Sequence, residues 1–79
     1  MRSNREMRKL AAVLLAGAAE TRFSAEELRR ATRVHSRRLY PMLATLEQRG
    51  WLTDGWEDPT KTQRYYVLTE DGRRELTRR

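Results

Sequence analysis

The sequence contains no cysteine, which excludes disulfide bonds, thiolate metal sites and thiol nucleophiles. Its four glycines are scattered, so it has no glycine-rich phosphate-binding loop. No apolar run approaches the roughly 18 residues that span a bilayer, and the N-terminus lacks a signal-peptide pattern. These absences predict a cytoplasmic protein, without membrane contacts, whose fold depends on packing alone.

The residues that could support catalysis are few and badly placed. The one histidine, His35, has no carboxylate or other metal ligand near it in the sequence. Glu57 and Asp58 are adjacent in a loop and cannot form an acid and base pair. Trp51 and Trp56 are better explained by strand packing than by a stacked ligand. We therefore expect no enzyme activity, no metal, no cofactor and no small-molecule effector.

The sequence does contain an excess of positive charge in a short chain. Its 79 residues are enough for a single domain, residues 1–79, with one modest core. Lys and Arg number 17 against 11 Asp and Glu, a formal net charge of +6 that attracts polyanions. Most of the cations are arginines, which suit bidentate contacts with phosphate and guanine. A basic surface can also be merely solvated, so charge alone does not identify a partner.

The first predicted helix runs from about Arg5 to Ala19 and is apolar on more than one side. One apolar stripe at helical spacing predicts the face that packs into the core. The other side is also apolar or small, which indicates cover by the C-terminal helix or by a second copy of the chain. Alanines on exposed faces can equally reflect their preference for helix. We predict a homodimer through this helix, with these residues at the interface: Leu10, Val13, Leu14, Ala16 and Gly17.

The second predicted helix has a clear start. Ser24 and Glu27 form a capping box, in which each side chain binds the other residue's backbone N–H. The helix should run from Ala25 to about Arg33 and bury Leu28 and Ala31. A short turn then leads to a third helix, and the pair predicts a helix-turn-helix, whose second helix ordinarily enters the major groove of DNA.

The third helix, predicted over residues 36–49 with Ser36 as N-cap, carries the strongest functional signal. Gly50 ends it, and its inward face has apolar residues at helical spacing: Leu39, Met42, Leu43 and Leu46. The opposite face combines cations, small residues and hydrogen-bonding groups, which suits a DNA groove: Arg37, Pro41, Ala44 and Gln48, flanked by Arg38 and Thr45. The sequence therefore predicts a recognition helix.

A β-hairpin wing should follow. Trp51–Trp56 and Gln63–Leu68 are strand-like, and the loop Glu57–Thr62 joins them. Three residues should face the core: Leu52, Tyr66 and Leu68. Four are candidates for phosphate or minor-groove contacts: Thr60, Lys61, Gln63 and Arg64. Three acids would repel phosphate unless they turn away from DNA: Asp54, Glu57 and Asp58. Thr69 should cap a short fourth helix with Leu76 as its apolar anchor.

The segments LYPMLATLEQRGWL and RYYVLTEDGRREL resemble the winged-helix domain of PadR-type transcriptional regulators. The resemblance covers roughly Leu10 to Leu76. It implies a sequence-specific, repressor-like DNA binder, normally dimeric, with Tyr40 and Pro41 near the DNA and Arg64 on the wing. Members usually continue into long C-terminal helices that form the dimer, whereas this sequence ends at Arg79. Self-association through the first helix is therefore expected instead.

The complete prediction is an α+β winged helix-turn-helix with three helices, a two- or three-stranded β-hairpin wing and a short C-terminal helix. It should regulate transcription, as a repressor, by reading double-stranded DNA with helix 36–49 and wing 57–64. The alternative is a winged-helix module for protein contacts in a larger nucleoprotein, phage or plasmid assembly. We expect a cytoplasmic protein that acts at a prokaryotic nucleoid or is encoded by a phage or plasmid. The predicted DNA contacts are Ser24, Arg33, His35, Ser36, Arg37, Arg38, Tyr40, Pro41, Ala44, Thr45, Gln48, Thr60, Lys61, Gln63 and Arg64.

Overall fold

The computed structural model of the protein describes residues 3–78. Its elements in chain order are α1 (Ser3–Ala16), β1 (Phe23–Ser24), α2 (Ala25–Thr32), α3 (Ser36–Gln48), β2 (Leu52–Trp56), β3 (Arg64–Leu68) and α4 (Glu70–Thr77). The three strands form one antiparallel sheet in the order β1-β3-β2. This arrangement confirms the predicted winged helix-turn-helix. Between residues 3 and 78, no helix is long and apolar enough to cross a membrane.

Helix α1 ends at Ala16, earlier than the predicted Ala19. The Arg73 guanidinium, which belongs to α4, donates hydrogen bonds to the carbonyl oxygens of Leu15 at 3.4 Å and Gly17 at 3.1 Å. Carbonyl groups at the C-terminal end of a helix have no partner within it and carry partial negative charge, so a cation there is favourable. This contact fastens α4 to the end of α1.

The inward stripe of α1 is covered by the chain's own core. Leu10 and Leu14 are each 0% exposed and pack in one cluster with the leucines of α2 and α3. The prediction that these two leucines form dimer contacts is therefore wrong, because a single chain already buries them. Of the other three predicted interface residues, Ala16 is exposed, whereas Val13 and Gly17 are half-buried.

Helix α2 begins at the predicted capping box. The Ser24 hydroxyl oxygen accepts the Glu27 backbone N–H at 3.0 Å, and the Glu27 carboxylate accepts the Ser24 backbone N–H at 2.9 Å. The helix ends just before Arg33, which adopts a left-handed conformation with φ 61°. Its N–H still donates to the Arg29 carbonyl oxygen at 2.8 Å, which closes the last turn.

The inward face of α2 differs from the prediction at its end. Ala31 is exposed, and Thr32 is buried instead, one turn after Leu28. The Thr32 hydroxyl donates to the Leu28 carbonyl oxygen at 2.7 Å and accepts the Val34 N–H at 3.2 Å. Both hydrogen-bonding functions of this hydroxyl are therefore satisfied, which is what makes its burial tolerable.

The N-cap of α3 lies one residue earlier than predicted. The cap is His35, whose Nδ1 accepts the Arg37 backbone N–H at 3.1 Å, and Ser36 is the first helical residue. The inward face contains the expected leucines, all buried: Leu39, Leu43 and Leu46. Gly50 ends the helix as predicted, with φ +77° and its N–H donating to the Glu47 carbonyl oxygen at 3.0 Å.

The sheet places its predicted residues in the core. Leu52 lies opposite Leu68 across the β2–β3 pair, and both are buried, as is Tyr66. The third strand, β1, pairs Phe23 with Tyr66 on the other side of β3. The sequence predicted either two or three strands and did not identify this short segment as one of them.

Helix α4 starts at the predicted cap. The Thr69 hydroxyl oxygen accepts the Gly72 N–H at 2.9 Å, and the same hydroxyl donates to the Gly50 carbonyl oxygen at 2.8 Å. Leu76 is partly buried against the edge of the core. The end of α3, the start of β2 and the start of α4 are thus joined at one point.

Candidate nucleic-acid interface

The outward side of α3 is an exposed face that starts with a cation. Four predicted contact residues lie on it, and all are exposed: Arg37, Pro41, Ala44 and Gln48. Tyr40 lies beside them with 52% of its surface exposed. Thr45 is half-buried, and its hydroxyl donates to the Pro41 carbonyl oxygen at 3.0 Å. The hydroxyl proton of Thr45 therefore already has an acceptor within the helix.

The two arginines at the start of α3 differ in their partners. Arg38 Nε lies 3.2 Å from a carboxylate oxygen of Glu6 in α1. Arg37 forms no ion pair with any residue from 5 to 78. Together with His35 they line a shallow hollow of about 300 Å³. Arg33, at the preceding turn, is also exposed. Arg37 is therefore the cation of α3 most readily available to a polyanion.

A cleft of about 290 Å³ lies between the start of α2, α3 and the wing. It brings together four predicted contact residues that are far apart in the sequence: Ser24, Tyr40, Gln63 and Arg64. The Ser24 hydroxyl oxygen already accepts a backbone N–H as the cap of α2. The helix-turn-helix and the wing thus converge on one side of the molecule.

Hydrogen bonds to one acid, Asp58, organise the wing loop, residues 57–63. The Asp58 carboxylate accepts the backbone N–H groups of Thr62 and Gln63, each at 3.1 Å, and the hydroxyls of Thr60 and Thr62. These hydrogen bonds, that from Thr60 foremost, hold the pKa of Asp58 well below its usual range. The acid therefore turns into the loop, and Lys61 is left exposed near the tip with φ 61°.

The other two acids of the wing form ion pairs with arginines. Glu57 lies 3.4 Å from Arg22, whose guanidinium stacks on the Tyr65 ring at 4.4 Å from its centroid. Asp54 forms a 2.6 Å ion pair with Arg64. The repulsion expected between these acids and phosphate is thus reduced. As a result, the positive charge of Arg64 is partly neutralised within the wing by Asp54.

One residue of this region was not singled out from the sequence. Glu47, near the end of α3, is half-buried. Burial, followed by its interaction with the carboxyl group of Asp54 in β2, raises the pKa of Glu47 to about 7. The interaction with Glu47 and then the ion pair with Arg64 lower the pKa of Asp54. The only sequence signal for Glu47 was its place in the Leu-Glu-x-x-Gly motif.

Comparisons with known proteins agree with this architecture. The family model of the transcriptional regulator PadR-like family matches residues 19–78. A PadR-like transcription factor from Bacteroides fragilis is similar in structure, with a TM-score of 0.74, 24% identity, and coverage of 96% of this chain and 77% of that one. AbfR of Staphylococcus epidermidis has a TM-score of 0.72 and 26% identity over 87% of this chain and 45% of its own. No curated protein matches the chain.

A third structure, S. aureus MepR in a DNA-binding conformation, has a TM-score of 0.76 but only 14% identity, over 90% of this chain and 51% of its own. This chain thus spans about half the length of AbfR and MepR. The family match covers most of the sequence, including α2, α3 and the whole wing. The chain therefore belongs to the PadR-like family, a family of transcriptional regulators and not of enzymes.

Proposed function

We propose that this protein is a sequence-specific regulator that binds double-stranded DNA. In this proposal α3 enters the major groove, the wing loop rests on the backbone or in the minor groove, and binding represses transcription in the cytoplasm. The observation that carries the proposal is the exposed face of α3, where Arg37 has no acidic partner among the described residues. The convergence of α3 and the wing on one side supports it.

The chemistry of the α3 face suits base reading. A guanidinium such as that of Arg37 can donate two hydrogen bonds to a guanine edge or to a phosphate. Ala44 has a short side chain, which lets the helix backbone approach the groove closely. Gln48 supplies an amide, the group that pairs with an adenine edge. The face therefore offers contacts for more than one kind of base.

The wing is suited to contacts with the sugar-phosphate backbone. Lys61 is exposed near the tip, and the acids around it are held by hydrogen bonds or by arginines. Contacts of this kind position a protein on the duplex without reading sequence. The net charge of +6 adds long-range attraction to DNA. The similar fold of MepR, described in a DNA-binding conformation, is consistent with this use of the fold.

The experiment that tests this function is a salt titration of DNA affinity. A random duplex library is first enriched for sequences that bind the protein. A labelled duplex from the enriched library is then titrated with the protein by fluorescence anisotropy at several salt concentrations. If about five phosphates are neutralised per bound unit, log K against log salt should have a slope near −4.5. No enrichment, or an affinity that does not change with salt, would contradict DNA binding and favour a module for protein contacts.

We further propose that the protein forms a homodimer through the outward side of α1. Ala16 is exposed there, and Val13 and Gly17 retain part of their surface. The substitution Ala16→Glu should therefore convert the dimer to a monomer in light scattering, without loss of helix content, because it adds a charge to an apolar contact. A parent protein that is monomeric at high concentration would contradict this assembly.

A further inference from the structure

Trp56, the last residue of β2, is a large aromatic side chain that the core does not cover. It is 45% exposed, whereas Trp51 packs against the core. Strand packing therefore accounts for Trp51 but leaves nearly half of Trp56 in contact with water. A single exposed ring is common on protein surfaces, so its surroundings decide whether it has a partner.

The register of the β2–β3 pair determines what surrounds Trp56. Side chains alternate between the two faces of a strand, so every second cross-strand pair shares a face. Three pairs lie on the face that continues the core: Leu52 with Leu68, Asp54 with Tyr66, and Trp56 with Arg64. Both leucines and Tyr66 are buried, whereas Trp56 and Arg64 are exposed. Trp56 and Arg64 thus extend the core face of the sheet toward the wing loop.

Arg64 is held between the Trp56 ring and an acid. Its guanidinium carbon lies 5.4 Å from the ring centroid of Trp56, and its Nη2 lies 2.6 Å from Asp54 Oδ2. The Arg64 side chain is still 48% exposed, so its other N–H groups are open to a second acceptor. Arg64 also lines the cleft that contains Tyr40, another exposed aromatic residue. A cation and two exposed rings therefore lie together on the side of the proposed DNA contacts.

The opposite face of the wing has a second arginine and aromatic pair, and its ring is more covered. Arg22 stacks on the Tyr65 ring at 4.4 Å from the centroid. On the sheet side, the Tyr65 ring lies over Gly55, where a Cβ atom would be only 2.6 Å from Tyr65 Cζ. Tyr65 is consequently half-buried. Of the two pairs, the one with Trp56 has the larger ring surface available to a partner.

We propose that Trp56 is a DNA contact of the wing, whose indole packs against a deoxyribose while Arg64 binds the adjacent phosphate. This inference rests on the proposed function and adds a residue to its interface. Each nucleotide presents an apolar sugar beside an anionic phosphate, and an aromatic ring beside a guanidinium is complementary to that pair. Arg64 and the exposed Lys61 favour a polyanion over an apolar protein surface.

The contacts within the wing prepare Arg64 for this role. The ion pair with Asp54 and the stacking on Trp56 restrict the guanidinium before DNA arrives. A side chain that is already restricted loses less conformational entropy when it binds. Trp56 therefore contributes both a surface for the sugar and a support for the phosphate contact.

The direct test uses Trp56 as its own reporter. In Trp51→Phe the one remaining tryptophan is Trp56. Its quenching by acrylamide is measured with and without the enriched duplex. We expect quenching to fall by about twofold or more in the complex, because the sugar covers ring surface that is exposed in the free protein. The matched control, Trp56→Phe, leaves Trp51 as reporter, and its quenching should not change with DNA because Trp51 packs against the core.

Affinity provides the second measurement. Trp56→Ala leaves the net charge unchanged and should weaken binding of the duplex by about tenfold, the effect of losing one aromatic contact at an interface. Tyr65→Ala removes the aromatic ring from the opposite face of the same hairpin and should weaken binding by less than about threefold. Circular dichroism of each variant establishes that the fold is intact.

The outcomes separate this inference from the function on which it rests. Protection of Trp56 by DNA, with a larger loss of affinity for Trp56→Ala than for Tyr65→Ala, supports the contact. Unchanged quenching of Trp56 in a complex that does form overturns it, and so does an equal loss of affinity in the two alanine variants. A parent protein that binds no duplex contradicts the proposed function instead.

Discussion

The substitution Gly72→Ala is expected to lower the free energy of unfolding by about 3 kcal/mol, the high end of the cost of overpacking. Gly72 is buried in α4, where a Cβ atom would lie 2.1 Å from the carbonyl oxygen of Trp51 and 2.8 Å from Leu68 Cδ1. In an isolated helix the same change would be favourable by about 1 kcal/mol, because alanine is the better helix former. Packing thus reverses the sign that helix propensity predicts.

The Trp51 carbonyl group, with which the added Cβ atom would clash, is held in place by hydrogen bonds. The Trp51 carbonyl oxygen accepts the Thr69 N–H at 3.0 Å, and the Thr69 hydroxyl bridges the Gly50 carbonyl oxygen and the Gly72 N–H. Relief of the clash would therefore break the cap of α4 or shift the start of β2. A domain of this size is stable by only about 4–12 kcal/mol, so the loss is large.

Urea unfolding followed by tryptophan fluorescence and by circular dichroism measures this effect. Gly50→Ala is the control, because Gly50 has open space around its Cα but a φ of +77°. It should cost about 1 kcal/mol, the strain of a left-handed residue. If Gly72→Ala were as stable as the parent, or more stable, the close packing of α4 against the start of β2 would be disproved.

Much of this fold was predictable because it follows from local patterns. The apolar spacing in α3, the capping box at Ser24 and the glycine after α3 each depend on residues close in the sequence. Strand β1 could not be recognised in this way. It has two residues, and what makes it a strand is its pairing with β3, a contact between distant segments. Serine is a preferred N-cap residue, so the sequence favoured Ser36, whereas the structure uses the His35 ring nitrogen as the cap.

The sequence predicted which residues of α3 are exposed but not how the charges around them are paired. Helical spacing places Arg37 and Gln48 on the outside of α3, and the structure agrees. Spacing cannot show that Arg38 pairs with Glu6 or that Arg64 pairs with Asp54, because these ion pairs join different elements. Spacing also predicted that an apolar stripe of α1 packs into the core, but it did not show that Leu10 and Leu14, assigned to the dimer interface, are fully buried there.

Those ion pairs determine the second large effect that we expect. Arg37→Ala should weaken binding of the enriched duplex by about tenfold to a hundredfold, since a bidentate base contact is worth about 1–3 kcal/mol. Arg38→Ala should weaken it by less than about threefold, because much of the charge of Arg38 is already balanced by Glu6. The two arginines are neighbours, and each substitution removes one positive charge, so overall charge cannot account for a difference between them.

The measurement that tests the account most directly is this comparison of Arg37→Ala with Arg38→Ala by fluorescence anisotropy. Circular dichroism and urea unfolding of each variant establish that the fold is intact. The account predicts a large loss of affinity for Arg37→Ala and a small one for Arg38→Ala, at equal stability. An Arg37→Ala variant that is folded and binds the duplex as tightly as the parent would contradict the role of α3 as the recognition helix.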